Sequence, residues 1–160
     1  MDIFSEELLR VVRTFEKHNI RYIIVGGFAT NFHGYARATG DFDFWLEDTF
    51  ENRKKLVDAL EALGYGRFEA LMTAPLLPGY CEIMLDNGMY ADLMDSIFGF
   101  QKEDFPACFE KAVTADIMGV KIRFLHFNHL LHSKESSARL KDKLDAEELR
   151  KISRNDESNK

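Results

Sequence analysis

Cysteine is scarce in this 160-residue chain, occurring only at Cys81 and Cys108. Their separation fits neither a disulfide framework nor a metal-ligand motif, so both read as small apolar side chains bound for the interior. Basic charge is in deficit too, with 21 Lys and Arg against 27 Asp and Glu and a net charge of -6. Proteins that grip nucleic acid through its phosphates ordinarily carry a basic surplus, so bulk charge disfavours that class, although a local basic patch fits inside an acidic total. An acidic balance also suits a carboxylate site for divalent cations. No apolar run approaches membrane-spanning length, and Met1-Asp2-Ile3-Phe4-Ser5-Glu6-Glu7 is acidic where a signal peptide is basic. The expectation is a soluble, cytoplasmic protein with no membrane contact.

Repeats and interdomain linkers are absent as well, which predicts one domain over residues 1–152 and a polar, disordered tail over 153–160. What is abundant is phenylalanine, 14 in all, within an ordinary globular composition of 46% hydrophobic and 30% charged residues. Such a share points to an aromatic core, a hydrophobic contact surface, or both.

Periodicity supplies the elements. Leu8, Leu9, Val12 and Phe15 recur at helical spacing over 5–18 behind a Ser5 cap, with Asn19 as the stop. Tyr22–Val25 is a β-branched and aromatic run ending on Gly26-Gly27, a buried strand entering a tight turn. A short helix is expected from Phe28 to His33, closed by Gly34 in the left-handed region. Asp41–Leu46 reads as a strand whose two aspartates share a face. Asp48-Thr49-Phe50-Glu51 has capping-box spacing with Asp48 as the cap, opening a helix that ends near Leu63-Gly64. The Pro- and Gly-containing stretch 65–80 is expected to be irregular. Asp86-Asn87-Gly88 marks a hairpin between Cys81–Leu85 and Met89–Met94, and Gly119 separates a second strand pair, Thr114–Met118 and Val120–Leu125. Helices follow at about 128–138 and 142–152.

Three features bear on chemistry. Asp41 and Asp43 lie among Phe42, Phe44, Trp45 and Leu46, and buried carboxylates are costly unless paired or bound to metal. Period two sets them about 6–7 Å apart on one face, suited to two oxygen-loving cations, magnesium above all with manganese as a substitute. Gly26-Gly27 lets backbone approach a triphosphate closely, with helix N–H groups behind it. Asp92 stands in the apolar strand Met89–Met94 and would complete a site near an acceptor hydroxyl. Asp95, at an odd offset, points to the other face and ranks below it.

Val25-Gly26-Gly27, residues 28–40, and then Asp41-Phe42-Asp43-Phe44 resemble the signature of the nucleotidyltransferase superfamily that includes DNA polymerase β. Within it the chain is similar to small bacterial minimal and abortive-infection-type transferases, which carry His-Gly and Arg-x-Thr before the aspartates. Here those are His33-Gly34 and Arg37-Ala38-Thr39. The same group ends in lysine, arginine and Lys-Asp-x-x-Asp, matched by Lys134, Arg139 and Lys141-Asp142-Lys143-Leu144-Asp145. Phe42 stands where Ile or Leu is commoner.

The resemblance implies a mixed α/β (α+β) fold: a mixed sheet flanked by helices, with further helices at the C-terminus. It implies Asp41, Asp43 and Asp92 as catalytic magnesium ligands and transfer of a nucleoside monophosphate from a nucleotide triphosphate to an acceptor hydroxyl. Gly26, Gly27, Arg37, Thr39, Lys134 and Arg139 become nucleotide-binding candidates. Lys134 and Arg139 also read as solvated helix charges, and Arg139 as a partner of Asp142 or Asp145. The acceptor class stays open among a protein or tRNA in a toxin–antitoxin setting and an antibiotic such as an aminoglycoside or lincosamide. A partner protein or homo-oligomer would enlarge so small an acceptor surface. The rival is a binding module of the same fold acting as an antitoxin.

Two other groups read as structural. His126, His129 and His132 drift around a helix without Cys, Asp or Glu between them, which is poor zinc geometry. Phe98-Gly99-Phe100 reads as core or partner surface, because base-stacking platforms normally sit in basic grooves.

Overall fold

The computed structural model describes residues 5–73 and 80–160. Helix α1 (Glu6–Lys17) begins where Ser5 Oγ accepts from the Leu8 N–H at 3.3 Å, and it stops at Asn19 in the left-handed region. Strand β1 (Tyr22–Val25) passes straight into α2 (Gly26–Phe32). That helix starts two residues earlier than expected, because the glycine pair forms its first turn. Gly34 closes it at φ 113, as its position predicts.

Strand β2 (Asp41–Leu46) leads to α3 (Phe50–Ala62). Thr49, not Asp48, caps α3: its hydroxyl accepts from the Asn52 N–H at 3.1 Å. Asp48 is drawn off by Arg53, whose Nη1 lies 2.6 Å away, and its side chain is almost fully buried. A short helix, α4 (Ala70–Thr73), forms inside the stretch expected to be irregular. Pro75, Pro78 and Gly79 of that stretch lie outside the described residues.

Strands β3 (Tyr80–Met84) and β4 (Tyr90–Met94) form the expected hairpin around Gly88. A 3₁₀ turn, Lys102–Asp104, then leads into α5 (Phe105–Lys111), which the periodicity had not revealed. Strands β5 (Val113–Ile117) and β6 (Val120–Phe124) pair antiparallel across Met118-Gly119, both at positive φ, as a two-residue hairpin turn requires. Helices α6 (Phe127–Glu135) and α7 (Leu140–Ser158) follow. Helix α7 runs through Ser158, so most of the stretch expected as a disordered tail continues the helix. No described helix is long and apolar enough to cross a membrane.

The six strands lie in the order β3-β4-β2-β1-β6-β5, with β2–β4 and β1–β6 parallel and the rest antiparallel. This mixed sheet with flanking helices is the expected fold class. On one face Phe42, Phe44 and Tyr22 are buried, with Phe44 5.1 Å from Phe15 of α1 and Phe42 4.7 Å from Phe28 of α2. Most of the abundant phenylalanine is spent in this way on the core. On the other face Trp45 packs on Phe105 of α5 at 5.4 Å and on Phe100 at 5.8 Å. Asp41 and Asp43 share that second face, by the alternation of β2, and open into a cavity.

Candidate active site

The glycine pair exists to let other groups come close. Gly26 sits at φ +67, and a Cβ built there would stand 2.0 Å from Asp43 Oδ2. A Cβ on Gly27 would stand 2.3 Å from Thr39 Oγ1 and 3.3 Å from an Arg37 guanidinium nitrogen. Any side chain at either position would push β2 or the loop before it away from the start of α2.

Strand register brings the acidic residues together. In the parallel pairing of β2 with β4, Asp43 lies directly beside Asp92, and Asp41 precedes Asp43 by two residues on the same face. Burial, the charge of Asp92, a hydrogen bond with the Asp92 side chain and the charge of Asp41 push the Asp43 carboxyl up to about 7, with Lys134 pulling the other way. Among the described residues no three His, Cys, Asp or Glu side chains enclose a metal position by themselves. The three aspartates instead share an open face, and a cation there would draw further ligands from phosphates and water, as magnesium commonly does. Asp95 belongs elsewhere: its backbone carbonyl accepts from the Trp45 indole at 2.8 Å.

A basic wall faces the aspartates. Lys134 is buried, with its ammonium 2.9 Å from Asp142 and 3.0 Å from Asp145. Asp145 also takes a two-pronged contact from Arg37, both bonds at 2.8 Å. Burial favours protonation of Asp142, but hydrogen bonds from Ser137 at 2.6 Å, Arg139 at 2.7 Å and Lys134 prevail and hold it down at about 2. Asn31 fixes the loop by accepting from the Arg37 N–H at 2.9 Å.

The nine sequence-predicted site residues, Gly26, Gly27, Arg37, Thr39, Asp41, Asp43, Asp92, Lys134 and Arg139, all line one cavity of about 760 Å³. Arg139 makes the expected pairing with Asp142, and Lys134 is a buried ion-pair member instead of a solvated charge. Asn31 and Ser137 escaped sequence reasoning, since neither stands out locally. The i, i+3 spacing of Asp142 and Asp145 was the one signal that α7 turns a carboxylate face inward.

The histidines are structural in this arrangement. His33 Nε2 lies 2.7 Å from the Leu125 carbonyl, and His126 Nδ1 accepts from the Asn128 N–H at 3.1 Å to cap α6. His129 and His132 pack their rings on Phe100.

The fold recurs in solved structures, among them two nucleotidyltransferase-related proteins. The lincosamide antibiotic adenylyltransferase LnuA, with lincomycin bound, superposes with a TM-score of 0.60 at 20% identity, over 92% of this chain and 98% of that one. An antigenic nucleotidyltransferase-like protein from Paracoccidioides brasiliensis gives 0.52 at 16% identity, over 92% of this chain and 76% of that one. No curated protein matches the sequence. A family model described as "Nucleotidyl transferase of unknown function (DUF2204)" matches residues 4–160. A match over that span, on a chain with this fold, shows that the protein belongs to this nucleotidyltransferase family.

Proposed function

We propose that the enzyme moves a nucleoside monophosphate from a nucleotide triphosphate to a hydroxyl of its acceptor, with magnesium held by Asp41, Asp43 and Asp92. The carrying observation is that these carboxylates, on two adjacent parallel strands, face a wall of Arg37, Lys134 and Arg139 across one cavity. Burial, and then the neighbouring Asp92 and Asp41, let Asp43 hold its proton near neutrality, and a divalent cation at this cluster would offset the gathered negative charge. When bound, magnesium or manganese would neutralise phosphate charge and lower the pKa of the attacking hydroxyl.

The chain's own groups do the rest. Gly26 and Gly27 let Asp43, Thr39 and Arg37 close on the start of α2, and the Arg37–Asp145–Lys134 network holds positive charge ready without reorganisation. Thr39 lies against Gly27, at the same edge of the cavity. Asp92 sits beside Asp43, where an acceptor hydroxyl lined up on the α-phosphorus would displace pyrophosphate in line. The cavity volume lies in the upper part of the range for a single ligand pocket of roughly 300–1,000 Å³, leaving space for a small acceptor beside a nucleotide. Small hydroxylated antibiotics are therefore the first acceptors to test, since a fold neighbour was solved with lincomycin bound. Proteins and tRNA follow.

Calorimetric titration with ATP, CTP, GTP and UTP tests the nucleotide half of this reading. Binding is expected only with magnesium present, because bare aspartates repel a triphosphate. Tight binding without a divalent cation overturns the metal site. Binding with magnesium but no label transfer to any acceptor class favours the antitoxin-like binding module.

A further inference from the structure

Residues 96–101 form another wall of the same cavity. The chain folds back through an Ile97–Phe100 bridge with Gly99 at φ +81. A Cβ on Gly99 would stand 2.6 Å from Ser136 Oγ and 2.9 Å from the His132 ring, and the Gly99 carbonyl lies 3.2 Å from His132 Nε2. Phe100 is wedged among Trp45, His129 and His132. The stem of the loop is therefore fastened to α6.

Its tip is not covered in the same way. Phe98 lines the cavity yet remains 51% exposed, with the Arg139 guanidinium 5.3 Å from its ring centroid. The Arg139 side chain is 67% exposed while it pairs with Asp142.

We propose that Phe98 and Arg139 form the stacking slot for the base of the incoming nucleotide, an inference that rests on the transferase reading above. A phenyl ring and a guanidinium are two flat surfaces that accept a π-system between or upon them. The slot adjoins the phosphate wall, since Arg139, Asp142 and Lys134 form one connected chain of contacts. A nucleotide with phosphates facing Lys134 and Arg37 has its base within reach of Phe98.

An inserted base needs about 7 Å between the two planes, twice a ~3.5 Å contact distance. Opening to that width asks for a small swing of an exposed arginine. The cavity gathers Arg37, Lys134, Arg139 and Lys141 beside Asp41, Asp43, Asp92 and Asp142, so the slot rests on the geometry of the ring and guanidinium and not on a basic surplus. A surface for a protein partner would not need Phe98 to face the cavity that holds the three aspartates. Stacking tolerates every base and favours the larger purine face.

The test compares wild type, Phe98→Ala and Phe98→Tyr in magnesium. Probes are ATP and inorganic tripolyphosphate by calorimetry, and 2-aminopurine riboside triphosphate by fluorescence. Wild type should quench the fluorescent base and bind ATP more tightly than tripolyphosphate. Phe98→Ala should bind ATP about tenfold more weakly, the scale of one lost stack, with tripolyphosphate affinity unchanged. Phe98→Tyr should restore ATP affinity. Equal ATP affinity in wild type and Phe98→Ala overturns the slot and moves this wall to the acceptor. An equal loss for tripolyphosphate overturns it as well, by showing a general disturbance. Wild type that binds none of ATP, CTP, GTP, UTP and tripolyphosphate in magnesium overturns the nucleotide-site reading on which the slot rests.

Discussion

Asp43 and Asp142 line one cavity, and burial pushes both carboxyls toward protonation, yet they end at opposite extremes. On the sheet, Asp43 meets the negative charges of Asp92 and Asp41 and rises to about 7. On α7, Asp142 meets Lys134, Arg139 and the Ser137 hydroxyl and falls to about 2. The contrast lies in their partners. The α7 carboxylates are compensated within the chain and hold cations in place. The sheet carboxylates gather negative charge beside one another, which a divalent cation would offset under the function proposed above.

The largest expected effect of breaking this contrast is on the reaction. Asp43→Asn or Asp92→Asn should lower transfer by about 10²–10³-fold or more while circular dichroism stays unchanged. Near-full activity in a radiolabelled nucleotide assay would remove the sheet carboxylates from the chemistry.

Stability should respond in the opposite sense. Asp145→Ala removes both bonds that Arg37 makes to that carboxylate and one of the two ion pairs of Lys134, leaving Arg37 with its bond to the Ala38 carbonyl and buried positive charge short of partners. Urea denaturation should show a loss of about 3–5 kcal/mol, the scale of a broken buried pair. Asp43→Asn should cost nothing without metal, because it relieves repulsion. A loss for Asp145→Ala no larger than that of a surface change would mean that the α7 network does not hold the wall.

The smallest effect is on pH dependence in EDTA. Asp43 binds its proton more tightly in the folded state than at its ordinary value of 3.8. Its stabilising contribution is therefore full at low pH and fades as pH rises from about 4 to about 7. Asp142 is depressed from 3.8, so its contribution is full above that value and fades as pH falls toward about 2. Melting curves should show limbs of a few degrees on each side. Asp43→Asn should flatten only the neutral limb, and Asp142→Asn only the acid limb. Unchanged limbs in both variants would mean that neither carboxyl produces the limb assigned to it.

Much of the site could be read before folding because its signals are local. Alternation in Asp41–Leu46 puts both aspartates on one face, and Gly26-Gly27 ends a strand where only glycine admits a near neighbour. Other features depend on competition between neighbours. Asp48 and Thr49 both make good caps, and the choice fell to Thr49 because Arg53 captured Asp48. Helix α5 was hidden because its seven residues show too little periodicity. Phe100 packs on Trp45 at the core, as its sequence context suggests, whereas Phe98 turns to a cavity assembled from distant segments.

The sequence by itself determined the strands, the hairpins, the starts of most helices and which side chains share a face. Those properties follow from backbone sterics and hydrophobic period over a few residues. Only the tertiary structure decided that β4 lies beside β2, setting Asp92 against Asp43, and that α6 and α7 bring Lys134, Asp142 and Asp145 to Arg37. The physical reason is that charges and hydrogen bonds act through space. The pairing of distant strands and helices is set by packing of the whole core, which no short window of sequence contains.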